Sequence, residues 1–467
     1  MRNLRSSHNL INQSEPRSQS SPPLRVLHFA PKQCWPPDTG AKLRNYHLAR
    51  EMARNARVTY LCFSEDPAAS TAGLEHVCER IITVPREPGY TFTKILRGIA
   101  GRAPLNVLNY TTRAMKRRLA RLLDEQDFDI VQVESLLLAD YLPIIRLARS
   151  RPLAVCDWHN VDSEVIERYG RHAPGALRRL YARATARRMA ALERRSLSQF
   201  DAHIVVSERD RAQLLGLASN ARIFVVDNGV DVNHLCDEEI ERAYSAWLVN
   251  AESNRTSKNS PTSEQQTGET RRNRVVFVGS MDYHANADAC LYFARKVWPE
   301  LRSRKPDLVF TIVGRNPSEE IRALGNLPGV EVTGTVEDVR PYYREALAAI
   351  VPLRIGGGSR LKILEAMAAG VPVISSRLGA EGIDASDGEN ILIAGTADEF
   401  RRALFEIVEN RTLRHKLATA ARSFVSARYD WSALGETLLD THAGLLAHAR
   451  RPDSTGNVSK AMAEVNA

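Results

Sequence analysis

Gly356-Gly357-Gly358-Ser359-Arg360-Leu361-Lys362-Ile363-Leu364-Glu365-Ala366-Met367-Ala368-Ala369-Gly370-Val371-Pro372-Val373-Ile374 reads as loop, helix, turn and buried strand. Three successive glycines let a ligand approach the backbone closely, with no side chain in the way. Ser359 is a good N-cap, so a helix is expected over Ser359–Ala369. Its N-terminus offers free N–H groups and partial positive charge, which suit a phosphate. Arg360 and Lys362 place full positive charge in the first turn, where the helix dipole disfavours cations, so an anion is expected there. Glu365 follows Lys362 by three residues and shares its side of the helix. Diphosphate near Lys362 and ribose hydroxyls near Glu365 fit that layout. A glycine-rich turn before an ordinary helix is the competing reading.

Outward from this stretch, short apolar runs alternate with amphipathic helical patterns. Strands are predicted over 25–29, 57–62, 80–84, 129–133, 153–157, 202–206 and 222–226, then over 274–278, 308–313, 330–333, 347–352, 371–375 and 390–394. Helices are predicted over 41–54, 112–125, 136–150, 208–217, 285–302, 341–346, 397–425 and 430–449. Buried strands separated by helices imply parallel sheets covered on both faces. The fold class is therefore α/β, with two doubly wound Rossmann-like domains facing across a cleft and a hinge near Asp227–Val232. Residues 1–23, 250–273 and 450–467 are polar and read as disordered tails and a polar insertion.

The 467 residues are 43% hydrophobic and 25% charged, which excludes a disordered chain. A net charge of +9 permits nucleotides or an anionic membrane surface as partners. Nucleic acid is not expected: there is no helix-turn-helix, zinc finger or aromatic-interleaved basic stripe. The six cysteines are scattered without a Cys-x-x-Cys pair, as expected of reduced thiols in a cytoplasmic protein. No apolar run approaches the ~20 residues that span a bilayer, and residues 1–23 lack the apolar core of a secretory signal. Two helical patterns are strongly basic. One holds Arg113, Lys116, Arg117, Arg118 and Arg121. The other holds Arg178, Arg179, Arg183, Arg187, Arg188, Arg194 and Arg195 against a lone Glu193, with Leu177, Leu180, Tyr181, Ala184, Met189 and Leu192 on its apolar side. Each fits either a solvated flank or an anionic membrane surface.

Five motifs in order resemble the retaining glycosyltransferases of the GT-B fold, family-4 type. They are Pro36-Pro37-Asp38-Thr39-Gly40-Ala41-Lys42-Leu43-Arg44, Trp158-His159-Asn160-Val161-Asp162-Ser163-Glu164, the pair Ile204-Val205-Val206-Ser207 and Asp227-Asn228-Gly229-Val230-Asp231, Val276-Phe277-Val278-Gly279-Ser280, and the glycine-rich stretch up to Ile374. The wording of the second and fifth looks most similar to a bacterial branch linked to exopolysaccharide and protein-sorting loci. The resemblance implies an acceptor-side domain at 24–228, a hinge and insertion at 229–273, a donor domain at 274–428 and a helix at 429–449 returning towards the first domain. It implies retaining, metal-independent transfer from a nucleotide-diphosphate sugar to a glycan or lipid-linked acceptor, in the cytoplasm or at the inner face of the cell membrane.

The same resemblance gives roles to residues. His159, Lys362 and Glu365 are the catalytic candidates. Gly357, Gly358, Ser359, Arg360, Gly279 and Arg315 are expected around the donor and its phosphates, and Thr39 and Gly40 on the acceptor side. No metal or other cofactor is expected. Two departures stand out. The family's first acid falls eight residues before Glu365, where this chain has Gly357. No Arg or Lys appears in Ser280-Met281-Asp282-Tyr283-His284-Ala285-Asn286, so the burden shifts to Lys362 and Arg360; Asn286 is expected to cap the next helix. A non-catalytic scaffold that keeps the shell is the alternative. A dinucleotide-dependent oxidoreductase is disfavoured, because no Gly-x-Gly-x-x-Gly follows a first strand.

Overall fold

A computed structural model describes residues 23–66, 70–86, 91, 94, 98, 104–172, 175–235, 273–356 and 360–449. Nearly all of the expected tails and polar insertion lies outside these residues, as do Cys236, Gly357, Gly358 and Ser359. β1 (Leu24–Ala30), β2 (Ala56–Ser64), β3 (Arg80–Pro85), β4 (Ile130–Glu134), β5 (Leu153–Trp158), β6 (Ala202–Val205) and β7 (Ile223–Val225) form one sheet in the order β3-β2-β1-β4-β5-β6-β7. β8 (Arg274–Val278), β9 (Val309–Val313), β10 (Val330–Gly334), β11 (Ala346–Val351), β12 (Val373–Ser375) and β13 (Leu392–Ile393) form the other, in the order β10-β9-β8-β11-β12-β13. All pairings within both sheets are parallel. Strand order reverses between β1 and β4 and between β8 and β11, so a ligand crevice is expected beyond the carboxyl ends of those strands.

The period of two within each strand builds two cores on the first sheet. Leu27 and Phe29 join Leu61, Phe63, Val131 and Val133 beneath the helix Arg113–Glu125, which contributes Met115, Leu119 and Leu122. Val26 and Ala30 face the other way and join Val58, Tyr60 and Ile130 under Leu48, Ala49 and Met52 of the helix Gly40–Met52.

The C-terminal helix, Trp431–Ala449, completes this second core with Trp431, Leu434, Leu438 and Leu445. Trp431 stacks on His47 with ring centroids 4.9 Å apart. The chain thus crosses between domains twice, side by side: Val230 N–H donates to Tyr429 O at 2.8 Å, and Trp431 N–H to Val230 O at 3.3 Å. Truncating such a buried tryptophan to alanine typically costs about 3–5 kcal/mol.

The structure divides three helices that hydrophobic periodicity alone joins. Residues 136–150 become a 3-10 turn, Leu136–Tyr141, and a short helix, Leu142–Arg146, started by Pro143. Residues 285–302 become His284–Tyr292, a π turn at Phe293–Val297 and a new start at Trp298-Pro299. In both, proline lacks the N–H that would continue the ladder. Residues 397–425 split at Asn410, which ends one helix and caps the next by accepting from Leu413 N–H at 2.9 Å. The predicted helix 341–346 is Arg340–Arg344, and Ala346 opens β11.

The basic helix Ala176–Gln199 also differs from its sequence reading. Glu193 does not balance the arginines in solvent. It is buried, and it accepts from Ser163 N–H (2.9 Å) and Ser163 Oγ (2.5 Å) at the start of the helix Asp162–His172. Leu177, Leu180 and Tyr181 are exposed, at 83%, 64% and 56%, so the expected apolar side is covered only around Met189 and Leu192. No helix among the described residues is long and apolar enough to cross a membrane.

Candidate active site

A cleft of about 890 Å³ opens between the domains and is lined by Thr39, Gly40, Gly279, Arg315, Arg360, Lys362 and Glu365, among others. Gly279 follows β8 directly. A Cβ there would come within 2.9 Å of Asn286 Nδ2 and 3.3 Å of Lys362 Cε, so the glycine makes room for that pair. Lys362 Nζ donates to Asn286 Oδ1 at 2.5 Å and lies 4.9 Å from the centre of the Phe277 ring. Burial pulls the Lys362 ammonium down to about 8. Asn286 sits inside the helix His284–Tyr292 and does not cap it; its Nδ2 donates to Ser280 O at 2.8 Å. The amide that sequence assigns to capping therefore holds the lysine.

The helix of the opening stretch runs Leu361–Ala368, with Arg360 rather than Ser359 at the capping position and no side-chain cap. On its first turns, Lys362 and Glu365 both reach the cleft. Tyr343 Oη donates to Glu365 Oε2 at 3.3 Å. Burial raises the Glu365 carboxyl above its usual range, while the Tyr343 bond and Lys362 pull the other way.

Arg360 has an anion of its own. Its Nε donates to Glu381 O at 3.1 Å and an Nη to Glu381 Oε2 at 3.4 Å. Arg168 grips the same carboxylate from the other domain at 2.7 and 3.0 Å, and Arg209 Nε lies 3.3 Å from it. Glu164 then pairs with both Arg168 and Arg209. The positive charge that sequence attributes to an expected ligand is thus matched in part by an internal carboxylate shared across the domains.

Arg315 also spans the cleft, donating to Ser280 Oγ and to Asp38 Oδ2, each at 3.0 Å. Asp38 receives Lys42 Nζ as well, at 2.8 Å. Burial acts to raise the Asp38 carboxyl, but Lys42 and Arg315 together hold it below its usual range. Thr39 caps the helix Gly40–Met52 through its Oγ, which accepts from Lys42 N–H at 3.4 Å.

A second cavity, about 580 Å³, lies in the first domain and shares Thr39 and Arg315 with the cleft; His159 is in its wall. His159 follows β5, and its Nε2 lies 3.1 Å from Glu134 Oε2 at the end of β4. Turned to satisfy both of its ends, the Asn45 amide donates to the same oxygen at 2.9 Å. Beneath them, Arg44 donates to both oxygens of buried Asp157, at 3.0 to 3.3 Å, and to Asp227 O at 2.9 Å, which ties the first glycine loop to the hinge. Glu134, Asp157 and His159 bring ligand atoms within 4.8 Å of one another, and Arg44 occupies the Asp157 carboxylate.

Glu134, Arg44, Asp157, Glu381 and Tyr343 were not singled out from sequence. Glu134 had a readable signal, an acid closing the apolar run Ile130-Val131-Gln132-Val133 where the strand order reverses. Glu381 had none, because its partners lie far away in sequence.

Residues 39–234 match the family model described as Glycosyltransferase Family 4, and residues 272–410 the one described as Glycosyl transferases group 1. The chain belongs to the family-4-type glycosyltransferase family of the GT-B fold. This GT-B chain is 32% identical over 171 residues to the phosphatidyl-myo-inositol mannosyltransferase of Mycolicibacterium smegmatis, covering 35% of the chain and 43% of that protein. It is 28% identical over 164 residues to an uncharacterized 44.6 kDa protein in the cps region of Klebsiella pneumoniae, 33% of the chain and 42% of that protein. The matches thus span under half the length of these curated relatives. Among solved structures the chain resembles HepE of Anabaena in complex with UDP and glucose (TM-score 0.58, 15% identity, 89% of this chain and 99% of that one). It also resembles the sucrose-phosphate synthase of Thermosynechococcus elongatus (TM-score 0.62, 16% identity, 91% and 100%). These likenesses establish the shared fold.

Proposed function

We propose that the protein transfers a sugar from a nucleotide-diphosphate donor to a glycan or lipid-linked acceptor in bacterial polysaccharide synthesis, with retained anomeric configuration and no metal. The observation that carries this reading is the trio Lys362, Asn286 and Gly279 at the head of the cleft, with Glu365 one turn further on. The chief electrostatic demand is the charge that develops on the departing diphosphate. A preorganised ammonium in a site largely screened from water meets it with little reorganisation. Gly357, Gly358 and Ser359 precede the helix and are proposed to add backbone N–H groups, with Arg360 and Arg315 as flanking cations. Glu365 is proposed to bind the ribose hydroxyls. His159 is proposed to meet a sugar hydroxyl, with Thr39 and Gly40 beside the acceptor. The division into an acceptor-side first domain and a donor-side second domain follows from these placements.

A UDP-bound fold relative and a relative named for phosphatidyl-myo-inositol support a nucleotide-sugar donor and a membrane-borne acceptor. The capsule-region relative supports the polysaccharide setting. Exposed Leu177, Leu180 and Tyr181 lie among exposed Arg178, Arg179 and Arg183, a pattern that suits peripheral docking on an anionic inner membrane face. Flotation with liposomes of graded anionic content tests that part, and equal recovery at every composition rejects it. The transfer reading is tested by screening nucleotide sugars, with Lys362→Ala and Glu365→Ala as controls. Full turnover in both variants would remove the site assignment. Nucleoside diphosphate binding without transfer or hydrolysis of any donor would leave a non-catalytic scaffold.

A further inference from the structure

Glu134 is a buried carboxylate that neither the donor cleft nor the hinge uses. Gln132 Nε2 donates to its Oε1 at 2.7 Å, and His28 Nε2 lies 3.5 Å from that oxygen. Its other oxygen faces His159 Nε2. Burial opposes ionisation of Glu134, but His28, His159 and Arg44 outweigh it and hold the carboxyl below its usual range. His28 is itself driven towards the neutral form by burial.

A neutral imidazole has one N–H and one bare nitrogen, whereas an ionised carboxylate only accepts. A bare Nε2 at 3.1 Å from Glu134 Oε2 would set two lone pairs against each other. The Asn45 amide nitrogen lies 3.2 Å from Nε2 as well, but its two N–H bonds are satisfied by Glu134 Oε2 at 2.9 Å and Ala41 O at 3.3 Å, so the proton belongs on Nε2, leaving Nδ1 as an acceptor. Among the described residues no hydrogen bond to Nδ1 is formed, and the ring is 16% exposed in the wall of the acceptor-side cavity.

We infer that Glu134 is a positioning residue that fixes His159 in the Nε2–H tautomer, so that Nδ1 accepts a hydrogen bond from a sugar hydroxyl. This rests on the proposed catalytic reading of His159 and refines it: with Nε2–H turned to Glu134, the ring meets a hydroxyl's proton side at Nδ1. The arrangement matches the general logic in which a carboxylate selects the tautomer of a working histidine.

The test is long-range proton–nitrogen NMR of histidine rings in the full chain, with the His159 signal assigned by its loss in His159→Gln. Wild type should show Nε2–H alone. Glu134→Gln can donate as well as accept, so it should populate the Nδ1–H form and lower kcat by at least about tenfold, with donor KM within about twofold. Glu134→Asp should recover part of both. A wild-type Nδ1–H tautomer overturns the inference even if no variant folds. So does a Glu134→Gln enzyme with unchanged tautomer and kcat, or one that loses kcat only together with nucleotide affinity and thermal stability. Unchanged turnover in His159→Ala would instead overturn the catalytic reading and leave the tautomer result standing.

Discussion

Raising the pH from 7 to 9 should weaken nucleoside diphosphate binding about tenfold, because one buried lysine loses its proton in that interval. Lys362 titrates at about 8, pulled there by burial. Its charged fraction is therefore about 0.9 at pH 7 and about 0.1 at pH 9. The terminal phosphate of the ligand, with a pKa of roughly 6, is already about nine-tenths ionised at pH 7 and changes little across the window. The sign follows: the binding-competent ammonium persists below about 8 and is lost as pH rises through it. A tenfold change corresponds to about 1.4 kcal/mol. Calorimetry with UDP and GDP in buffers of different ionisation enthalpy reads both affinity and proton uptake, and roughly half a proton should be taken up at pH 8. Lys362→Met should bind about tenfold more weakly at pH 7 and show a flat profile. Equal affinity of the wild type at pH 7 and 9, with no proton uptake at 8, would refute the role given to this ammonium.

Glu381→Gln removes the carboxylate shared by Arg168, Arg209 and Arg360; with the acid about a quarter exposed, we expect a loss of about 2 kcal/mol, near 4–8 °C in Tm for a domain of this size. A Tm within 1 °C of wild type would show that the cluster is solvated and energetically idle. At Gly314, a Cβ would strike the carbonyl oxygen of Gly279 and lie 2.8 Å from its carbon, so Gly314→Ala should cost about 1–3 kcal/mol and weaken nucleotide binding by spreading the loops after β8 and β9. Unchanged melting and affinity would count against that close approach. Buried His203 accepts from Trp158 Nε1 at 3.0 Å, its other ring nitrogen faces Leu197 O at 3.2 Å, and burial lowers its pKa to about 4. The folded value lies below the unfolded one, so the stability it brings is present above about 6.5 and is lost as pH falls towards 4. The stability gap between wild type and His203→Gln should narrow by about 1.4 kcal/mol per pH unit over that range, and a constant gap would contradict the buried neutral form.

Both sheets were readable because their strands are short apolar runs, rich in valine and isoleucine and punctuated by polar loops. Every predicted strand has a counterpart in the structure, although 371–375 and 390–394 shrink to Val373–Ser375 and Leu392–Ile393. Helix continuity was harder to read. Periodicity carries across Pro143, Pro299 and Asn410, whereas the backbone must break at a missing N–H or a cap. In the site, sequence named Lys362 and Glu365 because a glycine-rich motif places them in order, and Gly279 because it closes the apolar run Val276-Phe277-Val278. It gave Asn286 a local job, since capping is decided within a few residues, while its bond to Lys362 joins positions 286 and 362. Charge balance was read too locally as well. Arg360 and Glu193 each answer to a group brought near only by folding.

The helix Trp431–Ala449 walls the core of the domain that begins the chain. During synthesis, residues 24–228 emerge long before that wall exists. Until the ribosome has delivered the last turns, Val26, Leu48 and Met52 lack one covering face and remain open to chaperones or to aggregation. Early pausing or premature termination would therefore harm the first domain through a defect encoded well downstream of it.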